Sequence, residues 1–312
     1  MNTTHFERAI FLSWYCAKGD CKFCYMSTQK GLIKNPRKAR RSTASILAEA
    51  FLCKKLGWKI EFLSGGYESY TTDELFFVIK AIKKIYGEKP WLNIGVIKGN
   101  DLKLFKPYIE GVCGAVECIN PGIHDKVCPS KPIKEIESMF RLCDKLALKK
   151  AMTLILGLGE TINDFLLLRR FIKMNKINKI TFYRLKPQKN TVFEKVKPVT
   201  KEYYAEWIKL TRQNFPKTQI VVGSWLTHLD EIHLLLKAGA DAVTKFPSIK
   251  LFNSKYAKII EEEAKKANRK FTGTLTKLPK IDYSDLDGLK LDKKLKKEIT
   301  AKLCTYLNKM KT

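Results

Sequence analysis

Short apolar runs recur along the chain, separated by longer stretches with helical spacing. The runs fall at residues 9–14, 59–64, 92–97, 114–119, 151–156, 179–185, 219–223 and 242–246, and each is rich in aliphatic and β-branched residues. That pattern predicts eight strands. Between them, residues 43–56 keep Ile46, Ala50, Phe51 and Lys54 at helical intervals, with Thr43 placed to cap. Residues 72–86 carry Asp73 and Glu74 in the first turn, where carboxylates complement the helix dipole. Further helices are predicted over 134–148, 162–176, 201–214 and 230–238.

Strands alternating with helices predict an α/β protein with a parallel sheet. Continuous apolar strands such as Ala-Met-Thr-Leu-Ile-Leu at 151–156 suit strands covered on both faces. Eight such units predict a (β/α)8 TIM-type barrel, with an open doubly wound sheet as the alternative. A barrel takes about 250 residues, so the 312 residues hold one barrel, expected over 1–247. After Phe246 the pattern turns to charged helices with a short segment at 270–275, expected as a C-terminal helical tail, 248–312, packed on the barrel.

Charge changes this picture little. The net charge is +28, but the lysines spread from Lys18 to Lys311 with no dominant arginine block. Dispersed lysines fit solvated helix faces better than a polyanion-binding stripe, so nucleic acid is not the expected partner. The first residues lack a basic stretch followed by a long apolar run, and no segment approaches the ~20 apolar residues of a membrane span. A cytoplasmic location without membrane contact is expected. There structural disulfides are rare, so the nine cysteines point to metal or catalysis.

Three of them are clustered at the end of the first strand. Cys16, Cys21 and Cys24 form C-x4-C-x2-C within Phe-Leu-Ser-Trp-Tyr-Cys-Ala-Lys-Gly-Asp-Cys-Lys-Phe-Cys-Tyr-Met. Three thiolates on one loop can bind three irons of a cubane and leave the fourth open to a small molecule. A closed zinc site usually needs a fourth ligand; His5 is the only histidine nearby in sequence. Unligated cysteines are the remaining reading. Cys113, Cys118, Cys128 and Cys143 are too widely spaced to be read as a second cluster, and buried free cysteine is common. His124 and Asp125 can line a cavity or sit on the loop surface.

The triplet resembles that of the radical S-adenosylmethionine (SAM) superfamily, with one residue more than the usual C-x3-C-x2-C. The resemblance implies a [4Fe–4S] cluster on Cys16, Cys21 and Cys24, chelation of SAM by the open iron, and reductive cleavage of SAM to a 5′-deoxyadenosyl radical. It also implies a small-molecule substrate and an electron donor such as ferredoxin or flavodoxin. Phe23 occupies the place where the family often sets an aromatic beside the adenine, though core packing explains it equally. Gly65-Gly66-Tyr67-Glu68 is similar to the family's GGE motif, which holds the SAM amino group, with Tyr67 interposed before Glu68.

Related barrels place a polar residue at the end of the fourth strand against SAM. Glu117 and Asn120 are the candidates, unless they are a solvated strand end. Leu154-Ile155-Leu156-Gly157-Leu158-Gly159-Glu160-Thr161 resembles a GLGET strand end whose backbone, at Leu156, flanks the adenine, with Thr161 placed to cap the next helix. Arg184 can fork onto a carboxylate of SAM or substrate, or serve a structural ion pair. Ala238-Gly239-Ala240-Asp241 is similar to the last unit of biotin-synthase-like and hydrogenase-maturase-like members. The extended cysteine loop resembles that of methanogen radical SAM proteins encoded beside the mononuclear-iron hydrogenase. Their proposed task is building the pyridinol ring of the iron-guanylylpyridinol cofactor. A radical SAM enzyme acting on RNA and a non-enzymatic metal-binding protein stand as alternatives.

Overall fold

The computed structural model describes residues 2–311. Eight parallel strands close on themselves: β1 Thr3–Phe11, β2 Lys59–Ser64, β3 Trp91–Asn93, β4 Gly111–Glu117, β5 Lys149–Leu156, β6 Lys179–Arg184, β7 Gln219–Gly223 and β8 Ala242–Thr244, with β1 paired to both β2 and β8. This is the (β/α)8 barrel, not the open sheet. The helices between strands are α1 Tyr25–Gln29, α2 Thr43–Leu56, α3 Thr72–Tyr86, α4 Gly99–Phe105, α5 Pro121–Val127, α6 Ile133–Lys145, α7 Phe165–Asn175, α8 Lys201–Asn214 and α9 Ile232–Ala238. After β8 come α10 Lys255–Lys266, β9 Lys270–Thr272, α11 Ser284–Asp287 and α12 Lys293–Lys311.

Several boundaries differ from the sequence reading. The first strand runs from Thr3 to Phe11 and not to Trp14, because the chain leaves the sheet to build the cysteine loop. The third ends at Asn93, and Gly95 with φ 93° turns the chain away. The segment at 270–275 is not merely part of a packed tail: Lys270–Thr272 pairs with β1 as a ninth strand. Helix α2 is capped by Ser42, whose hydroxyl accepts from the Ser45 amide, and not by Thr43. It is buried on nearly every side because α12 covers its outer face through Ile299, Leu303, Leu307 and Met310.

Alternation along each strand sorts side chains between two cores. On β5, Met152, Leu154 and Leu156 face the apolar layer beneath the helices. Thr153 and Ile155 face the mouth of the barrel, while Ala151 meets Phe62, Trp91 and Cys113 inside it.

The barrel interior also holds charge. Lys179 Nζ lies 2.5 Å from Glu7 Oε2, and Gln219 donates to the other oxygen at 2.6 Å. Burial pushes the Glu7 carboxyl up, but the Lys179 charge and the bond from His5 more than offset it and hold it down at about 2. A depressed carboxylate stabilises the fold above its unfolded value and loses that contribution as pH falls toward its folded one. The drop from 4.5 to about 2 corresponds to about 3 kcal/mol, present above pH 4.5 and lost progressively below it. Urea unfolding at pH 6 and pH 3 should therefore show wild-type protein losing ~2 kcal/mol more than Glu7→Gln over that interval. Equal losses in the two proteins would show that Glu7 does not carry this pH dependence.

Candidate active site

The carboxyl ends of the strands open into a cavity of about 1640 Å³. Ligand pockets commonly span ~300–1,000 Å³, so there is room for two small molecules. In TIM barrels this end is where catalysis is built.

The cysteine loop crosses the mouth from β1 to α1. Cys16, Cys21 and Cys24 are free thiols, each partly exposed, and all three line the cavity. The loop is pinned on both sides: the Ala17 amide donates to the Tyr67 carbonyl at 3.0 Å, and the Lys22 amide donates to the Val127 carbonyl at 2.9 Å. The four residues between Cys16 and Cys21 are accommodated locally. Gly19 takes a left-handed φ of 47°, and its amide donates to Cys16 Sγ at 3.4 Å. Asp20 accepts from the Ser130 hydroxyl, and the Lys18 ammonium donates to the Ser130 carbonyl and lies 4.4 Å from the Tyr67 ring centroid. The longer spacing is thus an ordered bulge tied to the segment before α6.

Around the thiols the electrostatics differ. Burial pushes the Cys24 thiol up to about 11. A hydrogen bond from Cys128 pulls the Cys21 thiol down, with the charge of Lys131 adding to it against burial. Lys131 is buried, with Nζ 3.5 Å from Glu117 Oε1. Burial disfavours its charge, but Glu117 and the nearby thiols more than restore it. Such a cation favours thiolates at the mouth.

His5 lies at the opposite end of β1, 3.1 Å from Glu7, and cannot reach the thiols as a zinc ligand. Among the described residues, no group of three or more His, Cys, Asp or Glu side chains is placed to hold a single metal ion. A cubane, by contrast, sets each thiolate on a different iron and needs no common point.

The other expected site residues divide. Phe23 lines the cavity and packs beside Cys118, Val127, Cys128, Leu158 and Leu185, so it stands between the cavity and an apolar core. Gly65 and Gly66 line the cavity. A Cβ on Gly66 would lie 2.3 Å from the Tyr15 carbonyl oxygen and 2.4 Å from Cys16 Cβ, so this glycine lets the β2 turn press against the first cysteine. Glu117, with a left-handed φ of 64°, lines the cavity and accepts from the Thr153 hydroxyl at 3.1 Å.

Arg184 also lines the cavity and is buried. Its guanidinium pairs with Glu231, which accepts from the Ser224 hydroxyl at 2.9 Å. Burial pushes the Glu231 carboxyl up to about 6, with Arg184 pulling the other way. Arg184 Nε–H has no partner among the described residues. A buried donor left open at a cavity wall is a place for a ligand acceptor.

Two expected side chains are not brought in. Glu68 is exposed, in a left-handed turn with φ 56°, and Tyr67 takes the lining position. Asn120 caps α5: its side-chain oxygen accepts from the Ile123 amide at 3.3 Å, and its amide group donates to Asp164 at 2.8 Å. Leu156 is expected at the site through its backbone; its side chain is fully buried in the outer core, and alternation gives the side-chain lining position to Ile155. His124 is neither lining nor surface. It is buried, with its ring nitrogens 2.9 Å from the Val116 carbonyl oxygen and 2.7 Å from that of Lys131.

Sequence reasoning missed Lys131, Tyr183 and Lys245, all of which line the cavity, and Glu61 beneath it. A charged residue inside an apolar strand, as in Lys-Ile-Glu-Phe-Leu-Ser at 59–64, was the available signal for Glu61. No motif marks Lys131 or Lys245.

A family model described as the radical SAM superfamily matches residues 14–172. An uncharacterised protein of Methanocaldococcus jannaschii is 40% identical over 325 aligned positions, covering 99% of this chain and 90% of that protein. The fold is similar to the [FeFe]-hydrogenase maturase HydG from Carboxydothermus hydrogenoformans, at a TM-score of 0.70 and 16% identity over 98% of this chain and 78% of that one. It is similar also to methylornithine synthase (PylB), at a TM-score of 0.67 and 19% identity over 78% of this chain and 72% of that one. At these identities the structural likeness is one of fold.

Proposed function

Since the chain belongs to the radical SAM superfamily, we propose that Cys16, Cys21 and Cys24 hold its [4Fe–4S] cluster and that it acts in cofactor biosynthesis, on a precursor of the pyridinol ring of the iron-guanylylpyridinol cofactor. As a radical SAM enzyme it depends on SAM and an iron–sulfur cluster, and together these supply a 5′-deoxyadenosyl radical. The observation that carries the site assignment is the cysteine triplet lining a large cavity at the carboxyl end of a parallel barrel. The finer reading is supported by the extended C-x4-C-x2-C loop and by the near full-length relative in Methanocaldococcus jannaschii.

The protein's own residues would bind, orient and shield. Gly66 lets the β2 turn press against the first cysteine, and with Gly65 it presents backbone to the cavity where a ligand would lie. Arg184 offers its open Nε–H to a carboxylate, and Glu117 offers a carboxylate to an ammonium. Phe23 and Ile155 give apolar lining against which a base would pack. The apolar lining keeps water from a reactive intermediate.

The test is anaerobic. Protein reconstituted with iron and sulfide, reduced with dithionite and given SAM should release 5′-deoxyadenosine, and a pyridinol precursor should accelerate that release. A cluster-loaded enzyme that cleaves SAM but ignores every pyridinol precursor, with no precursor atom transformed, would remove the finer reading and leave the class.

A further inference from the structure

The wall of the cavity formed by β6, β7 and β8 carries a cation that the reading above leaves unused. Lys245 follows β8 with a left-handed φ of 67°, a conformation costly for a side chain with a Cβ and one that tends to persist at functional sites. It lines the cavity and is partly buried. Its ammonium lies 4.5 Å from the Tyr183 ring centroid and 5.7 Å from that of Phe11.

The backbone is shaped to allow this. A Cβ on Gly223, at the end of β7, would lie 2.4 Å from Tyr183 Cδ1 and 2.9 Å from Lys245 Cγ. Only glycine lets the lysine stem and the tyrosine ring share that space.

Beneath them, Glu61 is fully buried; burial pushes its carboxyl up and the charges of Lys245 and Lys179 pull against it, but its hydrogen bonds come from other groups. Tyr183 donates to Glu61 Oε1 at 2.6 Å and the Thr244 hydroxyl donates to Oε2. The other carboxylates facing this side are also taken: Glu49 by Arg8 and Arg41, at 2.6 and 2.7 Å, and Glu7 by Lys179. Lys245 has no carboxylate within ion-pair distance among the described residues. Phe11 stacks on Trp14 at 4.9 Å with planes 11° apart, which extends a flat apolar face beside the cation.

We infer that Lys245 anchors the oxyanion of an aromatic acid, carboxylate or phosphate monoester, whose ring lies on the Phe11–Trp14 and Tyr183 surface. The inference rests on the radical SAM reading only in taking this acid to be the second molecule of a cavity shared with SAM. A partly buried lysine held against an aromatic floor binds an anion more strongly than a fully solvated one, because less water must be displaced and the charge is held in place.

Isothermal titration of the anaerobic, cluster-loaded, SAM-bound enzyme with benzoate, phenyl phosphate and neutral benzamide tests it. At least one of the two anions should bind saturably, with benzamide at least about tenfold weaker. The better anion names the oxyanion. Lys245→Met should lose about tenfold or more of that affinity, and Lys245→Arg should recover most of it. Affinity for SAM should stay within about twofold in both variants, which also shows that they are folded. Wild-type anion affinity in Lys245→Met, no anion binding to wild type, or an equal fall in SAM affinity would each overturn the inference. Failure of wild-type protein to take up a cluster or SAM would instead strike the reading of the preceding subsection. Titration of the cluster-free protein would then still show whether Lys245 selects the anion.

Discussion

Replacing Cys16, Cys21 or Cys24 by alanine, one at a time, should abolish cluster assembly and lower 5′-deoxyadenosine formation by about three orders of magnitude or more, ~4 kcal/mol in barrier terms. Each thiolate is the sole protein ligand of one iron in the proposed arrangement, and the remaining lining offers no substitute. Cys128 comes nearest, but it is buried in an apolar cluster, where its hydrogen bond with Cys21 and its burial push its thiol up and disfavour the thiolate. The informative control is Cys143→Ala. Cys143 is buried on α6 in the outer core, where losing a sulfur costs on the order of 1 kcal/mol of stability and no iron. Iron and sulfide analysis with electron paramagnetic resonance of the reduced proteins reads both effects. Normal iron content in all three triplet variants would refute the assignment of the site.

Gly66→Ala should be damaging, though less than loss of a thiol, while Gly65→Ala should be mild. A Cβ on Gly66 meets backbone and Cβ atoms of Tyr15 and Cys16 at 2.3 to 2.5 Å, and none of these can swing aside. Either the β2 turn or the cysteine loop must move. Such overpacking costs roughly 1–3 kcal/mol, and the displacement falls on the first cluster ligand. On Gly65 the nearest atom is the Ser69 hydroxyl at 3.3 Å, the end of a small rotatable side chain. We therefore expect Gly66→Ala to lower reconstituted iron severalfold and the Tm by several degrees, with Gly65→Ala close to wild type in both. Equal behaviour of the two variants would mean that the approach of the turn to Cys16 does not govern the loop.

The contrast between these adjacent glycines marks where sequence reading reaches its limit. Both were legible as members of one motif, because a Gly-Gly after an apolar strand is a local pattern. Which of them carries the contact depends on what stands opposite, and that belongs to another segment. Glu68 shows the same limit from the other side. Its place in the motif drew it toward the site, but the left-handed turn at φ 56° directs it to solvent and leaves Tyr67 on the cavity. On β5, likewise, a period of two allows the side chain of either Ile155 or Leu156 to look inward until the barrel closes, and closure gave that place to Ile155.

What the chain determines by itself is what local patterning can encode. Apolar runs at regular intervals specify eight parallel strands, and the spacing of Cys16, Cys21 and Cys24 specifies a loop of thiols at the end of the first. Tertiary structure alone decided the rest. It paired residues 270–272 with β1 as a ninth strand, and it set Lys131 beside the thiols. It closed Arg184 onto Glu231 while leaving Nε open, and it brought Lys245, Gly223 and Tyr183 from three consecutive strand ends to one wall. The physical reason is the same in each case. Periodicity fixes how a segment is built, but the partner of a charge or a ring is chosen by barrel closure, which joins residues far apart in the chain and leaves no mark in the spacing of either one.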